Sequence, residues 1–254
     1  MKLRYITCSD PREYNSLQDI VDLAKMPHAE IAVQCHPSKM SKGMPRNMWF
    51  DDLVRLAFHI DMNLAIHINK EWADSMCVHG KIPNEIFTWM ALERFETNQP
   101  IIKRIQLNMP QDTANHINTY EVAKLINDFP NREFIFQYNN KTKNAIRKLH
   151  ETGAEFSLLF DASGGNGIAP ESWQKPVYKI HPMGYSGGIS PDNVIENLNK
   201  ISMVVPQNDK IWIDAEGKLK SVNPAYCDLS PRFDYTKASE YVKRANAWQN
   251  QKTK

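Results

Sequence analysis

Short apolar runs alternate along this chain with stretches whose apolar residues recur at helical spacing. Runs at residues 3–7, 31–35, 64–68, 101–107, 134–138, 156–160, 183–185 and 211–213 read as strands. Between and after them, helical spacing appears at 17–24, 50–58, 86–95, 120–129, 144–151, 191–201 and 235–248. In the first of these, Leu17, Ile20, Val21 and Ala24 share one face. A looser segment covers 169–179.

Strand–helix alternation implies parallel strands joined by right-handed crossovers. Eight such units in 254 residues predict one α/β domain over residues 1–254, a closed (β/α)8 barrel, since barrels of this kind take about 250 residues. An open doubly wound sheet is the alternative. It would carry a glycine-rich turn after the first strand, and here that turn reads Cys8-Ser9-Asp10-Pro11.

Composition adds a few bounds. A net charge of +2 (31 Lys and Arg against 29 Asp and Glu) gives no sign of nucleic acid or an anionic membrane as partner. No stretch approaches the roughly 20 apolar residues of a membrane span, and the first residues lack the apolar core of a signal peptide. Cys8, Cys35, Cys77 and Cys227 form no CxxC pair. They read as reduced thiols of a cytoplasmic protein rather than as a zinc site. The polar tail, 249–254, is expected to fray. A small-molecule partner is expected, with the chain acting as a monomer or homodimer.

Barrels bind ligands at the C-terminal ends of their strands. Those ends carry Cys8; Cys35 and His36; His67 and Asn69; Gln106 and Asn108; Gln137 and Asn139; Asp161; Gly187 and Gly188; and Asp214 to Gly217. So many polar groups at equivalent places argue for a site, because burying them unpaired is costly. Gln106 and Asp214 are candidate substrate contacts. Asp161 closes an apolar run; it is either a general acid at the mouth of a dry barrel or a cap for the glycine-rich loop behind it. Cys8 is either a thiolate base or a small buried hydrophobe. Lys39 and Arg46, in the loop after the second strand, either pair with a substrate carboxylate or stay solvated. His36 and His67 match no metal-ligand spacing, so no metal is assigned.

The run Gly187-Gly188-Ile189-Ser190-Pro191-Asp192 joins paired glycines to a helix start, with Ser190 as N-cap and Pro191 as first helical residue. The positive end of such a helix, with Gly187 and Gly188 on one side and Glu216 and Gly217 after the eighth strand, forms an expected phosphate site.

These residues resemble a family. Leu158 to Gly167 is similar to the Leu-Leu-Asp…Gly-Gly-Thr-Gly motif of phosphoribosylanthranilate isomerases, and Gly187 to Val194 resembles their Gly-Gly-Leu-Thr-Pro-Glu-Asn-Val. Ile105-Gln106-Leu107 looks like their Val-Gln-Leu, and Phe233 to Lys237 like the segment that opens their last helix. The resemblance runs from about residue 101 to 248. It implies an eight-fold barrel and an Amadori rearrangement of a phosphorylated aminosugar in tryptophan synthesis, without cofactor or metal. Asp161 would be the acid and Cys8 the base. The Gly187–Gly188 and eighth-strand loops would hold phosphate, and Arg46 or Lys39 the substrate carboxylate. Two departures stand out. Asp10 sits beside Cys8, where a negative charge disfavours a thiolate. Glu216 replaces hydroxyl donors, and a carboxylate ~4 Å from a phosphate costs about 1 kcal/mol in water and about 4 at an effective dielectric near 20.

Overall fold

A computed structural model describes residues 1–222 and 229–252. Eight parallel strands close into a barrel in chain order: β1 (Lys2–Ser9), β2 (Ala29–Cys35), β3 (Asn63–Ile68), β4 (Ile102–Leu107), β5 (Glu133–Tyr138), β6 (Ser157–Phe160), β7 (Met183–Ser186) and β8 (Lys210–Ala215). Closure comes from β8 pairing with β1, from Lys2 opposite Lys210 to Cys8 opposite Ala215. A two-stranded ribbon, β9 (Lys220–Ser221) with β10 (Arg232–Phe233), follows β8.

The main helices stand where helical spacing predicts them: α1 (Leu17–Ala24), α3 (Pro45–His59), α5 (Asn84–Met90), α7 (Thr119–Asp128), α8 (Lys143–His150), α9 (Val194–Ser202) and α10 (Tyr235–Lys252). Three short helices were not expected: α2 (Pro37–Met40), α4 (Glu71–Cys77) and α6 (Gln111–Asn115). Of the tail expected to fray, residues 249–252 continue α10, and 253–254 lie outside the described residues. The 86–95 helix ends at Met90, and Glu93 then bridges to Pro100. Cys227 lies outside the described residues.

Alternation along the strands splits the core in two. The outer layer, between sheet and helices, holds Ile6, Cys8, Ile31, Val33, Cys35, Ile66, Ile105, Phe134, Leu158 and Ile213. Inside the barrel, Ile135, Leu159 and Trp212 pack together against Tyr5. The Trp212 ring fills the space that a side chain on β7 would need: a Cβ on Gly184 would stand 2.1 Å from it.

The interior also carries charge. Arg104 is buried beside Trp212 and Tyr5, its guanidinium 4.2 Å and 4.7 Å from their ring centres. It donates to Glu30 at 2.6 Å and to Glu133 at 3.2 Å. Thr7 and Ser157 donate to the same two carboxylates. A buried ion pair of this kind holds only if such extra bonds offset its desolvation.

Candidate active site

The C-terminal ends of the strands surround a cavity of about 780 Å³, within the usual range for small-molecule sites. Gln34, His67, Gln106, Gln137, Asp161, Ser186 and Asp214 line it, one from each strand or strand end from β2 to β8. All seven point inward because they share the parity of the barrel interior.

The same parity corrects the sequence reading at β1. Thr7 and Ser9 face the interior, bonded to Glu30 and Asp214. Cys8, one residue out of step, lies buried in the outer layer near Tyr241 of α10 and does not line the cavity. Burial, then the charges of Asp214 and Glu30, push its thiol well above the ordinary range. A thiol so placed is neither accessible nor ionised, so the expectation of Cys8 as base is overturned. Cys35 sits in the outer layer too, its thiol likewise raised by burial.

Asp214 has the properties that Cys8 lacks. Its carboxyl reaches the cavity wall, accepts from Ser9 Oγ at 2.6 Å, and is pushed up to about 7. Burial is the chief cause, reinforced by the charges of Glu216 and Glu30 and opposed by the Ser9 bond and Arg104. Asp161 also lines the cavity. It accepts from Ser163 N and Oγ at 3.1 and 2.8 Å, from Gly165 N at 2.6 Å, and from Gln137 Nε2 at 3.4 Å. It therefore caps the glycine-rich loop while its carboxyl group lines the cavity.

Gly187 and Gly188 line the cavity at φ +116° and +65°. A Cβ on them would meet Ile168 O at 2.9 Å and Ala169 N at 2.8 Å, so the turn after β7 rests directly on the loop after β6. Their amides, and that of Gly217, make no internal hydrogen bond among the described residues. The helix beyond begins at Val194, three residues later than expected, with Asn193 as N-cap. Ser190 and Asn193 instead exchange bonds across that turn (Ser190 N to Asn193 Oδ1, Asn193 N to Ser190 Oγ), and Asn193 Nδ2 donates to Gly188 O.

Glu216 is no phosphate ligand in this geometry. One of its oxygens accepts from Lys220 Nζ at 2.9 Å and the other from Gln34 Nε2 at 3.0 Å. Lys220 also donates to Asp10 at 2.7 Å, and Arg12 clamps the same carboxylate. Burial would raise Asp10, but the bonds from Arg12 and the charge of Lys220 outweigh it and hold the carboxyl below its usual range. Arg46 stands in the first turn of α3 rather than in a loop. It is buried, bonded to Glu13 at 3.0 Å, and part of the cavity wall. Lys39, on α2, is exposed and does not line the cavity.

Gln106 is where the sequence puts it, as the first member of a chain of carboxamides. Gln106 Nε2 donates to Asn108 Oδ1 at 2.8 Å, Asn108 Nδ2 to Asn69 Oδ1 at 2.9 Å, and Asn69 Nδ2 to Gln34 Oε1 at 2.5 Å. Gln34 Nε2 lies 3.4 Å from His67 Nδ1 as well as donating to Glu216. Burial and the charge of Arg104 bring His67 down to about 3, so its ring is neutral. Gln34, Ser9, Arg12 and Lys220 were missed from the sequence. The signal for two of them was present: Glu30-Ala32-Gln34 and Thr7-Ser9 alternate with the apolar residues of their strands. Among the described residues, no group of three or more His, Cys, Asp or Glu is placed to hold a metal ion. No helix among them is long and apolar enough to cross a membrane.

No protein-family model matches this chain, and no curated protein does. Solved structures do. TrpF from Jonesia denitrificans is similar at TM-score 0.54 and 15% identity, covering 96% of this chain and 97% of its own. The glycoside hydrolase family 30 subfamily 8 xylanase Xyn30A from Clostridium acetobutylicum is similar at TM-score 0.52 and 12% identity, covering 97% of this chain and 72% of its own. At such identities the likeness is one of fold, a (β/α)8 barrel.

Proposed function

We infer that this chain is a barrel enzyme that rearranges a small phosphorylated aminosugar from aldose to ketose form by acid–base chemistry. The observation that carries this reading is Asp214: a carboxyl on the cavity wall that titrates near neutrality, with Asp161 as a second carboxyl two strands away. A base is most effective when its pKa lies near the working pH. Asp214 takes the role that the sequence assigns to Cys8, and Asp161 keeps that of the acid.

The steps balance in protons. Asp161 gives a proton to the ring oxygen as the C1–O bond breaks, leaving a protonated imine at C1. Asp214 removes the C2 proton, and the C–H electron pair forms the C1–C2 double bond while the nitrogen is neutralised. The resulting enolamine becomes the ketone by losing its O–H proton and gaining one at C1. The free amides of Gly187, Gly188 and Gly217 suit a phosphate, and Lys218 on the same wall adds a positive charge. The ion pair with Lys220 neutralises Glu216, which relieves the repulsion that its position would otherwise create.

Turnover of phosphoribosylanthranilate, followed as loss of its fluorescence, tests the reading. Asp214→Asn and Asp161→Asn should each lower kcat by at least about 100-fold, the usual contribution of a positioned acid or base. Turnover that survives both changes, or none by the unaltered protein, rejects it.

A further inference from the structure

One buried ring on the cavity wall has no part in the proton transfers assigned to Asp161 and Asp214. His67 stands near the end of β3, in register with Gln34 of β2 on one side and Gln106 of β4 on the other. Its protonation pattern follows from its own backbone. A backbone carbonyl only accepts hydrogen bonds, and the His67 carbonyl accepts from Asn69 Nδ2 at 2.8 Å. The same NH2 group donates to Gln34 Oε1 at 2.5 Å. Gln34 therefore turns its own NH2 the other way, 3.4 Å from His67 Nδ1 and 3.0 Å from Glu216 Oε2. Nδ1 must accept, so the proton of the neutral ring sits on Nε2. Burial and the charge of Arg104 outweigh the opposite pull of Asp10, so the ring is neutral at any working pH. Nε2 has no partner among the described residues and is not sealed off from the cavity that the ring lines.

The proposed reaction supplies an oxygen for this donor. Asp214 takes the hydrogen from C2, and C2 also bears the oxygen that becomes the ketone. On a tetrahedral carbon these two point apart, so a base on β8 and a donor on β3, three strands away around the barrel, serve one each. We propose that His67 is a further catalytic residue, its Nε2–H donating to the C2 oxygen and holding the charge that gathers there as the ketone forms. In that step the C1–C2 double-bond pair takes up, at C1, the proton held by Asp214. The O–H bond breaks, its electron pair forms the C=O bond, and its proton passes to Asp161, so both carboxyls end as they began. His67 keeps its proton throughout. A neutral imidazole of lowered basicity suits this task, because it polarises an oxygen without a proton transfer of its own. The role rests on the reading given under Proposed function; the tautomer and the open donor do not.

Three measurements test it. The ¹⁵N spectrum of the ligand-free protein should show His67 as the Nε2–H tautomer, and an Nδ1–H ring overturns the proposal. Ribulose 5-phosphate, a ketose phosphate labelled with ¹³C at C2, reports polarisation through its infrared carbonyl band. The bound band should lie at lower wavenumber in the unaltered protein than in His67→Leu, with His67→Gln, whose amide also donates, between them. A ketose that does not bind, or a band that His67→Leu leaves in place, overturns the proposal. With phosphoribosylanthranilate, kcat should fall about 100-fold in His67→Leu, as for loss of one donor aimed at developing charge, and recover in part in His67→Gln. KM should change little, the mark of an interaction made only in the transition state. His67→Asn, whose shorter amide withdraws the donor, replaces His67→Leu if that variant does not fold. An unchanged kcat in His67→Leu rejects the role of His67 and leaves the aldose–ketose reading intact. No turnover by the unaltered protein, together with a shifted carbonyl band, rejects that reading and leaves the donor in place.

Discussion

Asp214 and Cys8 show how much depends on a single step along a strand. Asp214 is raised to about 7 from an ordinary value near 4, so the folded state holds a proton there that the unfolded chain has lost. Stability from this group is full below about pH 4 and falls as pH rises through 7. Asp214→Asn should therefore unfold with a flatter pH dependence between 4 and 7, a difference on the order of 4 kcal/mol at neutral pH, read from urea midpoints. For the proposed base, kcat/KM should drop as pH falls below about 7, and Ser9→Ala, which removes a bond that favours the charged form, should move that limb upward. Cys8→Ser should leave turnover of the folded protein within about twofold, since the side chain lies in the outer layer and does not line the cavity, its cost falling on packing instead, and thiol reagents should label Cys8 only on unfolding. In the sequence, both residues appear at strand ends. Alternation decides which faces the cavity, and the polar Thr7 and Ser9 between apolar neighbours already mark the inner face.

Among the elements, the turn between β7 and α9 combines two kinds of constraint. Gly187→Ala or Gly188→Ala would place a methyl against backbone at 2.9 or 2.8 Å and force positive φ on alanine. Each should cost about 1–3 kcal/mol and, on the proposed reading, weaken phosphate binding measured by calorimetry. Asn193→Ala should cost about 1 kcal/mol through loss of the bonds its side chain makes with Ser190 N and Gly188 O. The glycines and the Ser190–Asn193 pair were legible as a turn, but the helix start was not: the reciprocal bonds of Ser190 and Asn193 close a turn first, so helical geometry begins at Val194. Helices α2, α4 and α6 escaped notice because four to seven residues hold too few apolar repeats to reveal a period.

For the molecule as a whole, eight strands alternating with seven helical stretches were enough to specify the barrel, because each strand must bury both faces. What fills its interior was not legible, since Arg104, Glu30 and Trp212 are distant in sequence and meet only on closure. Gly184→Ala should destabilise by about 3 kcal/mol, the upper range for overpacking, because Trp212 has no room to give way; pairing it with Trp212→Leu should recover part of the loss in a denaturation series. Arg104→Met should cost about 3–5 kcal/mol by stranding Glu30. The contact of Gly187 and Gly188 with the Ile168–Ala169 backbone has a wider result. The sixth and seventh loops form one mechanical unit, so residues inserted into either would displace the other. Change toward new ligands is thereby channelled to the side chains at the ends of the second to fourth strands, where Gln34, Asn69, Gln106 and Asn108 line the cavity.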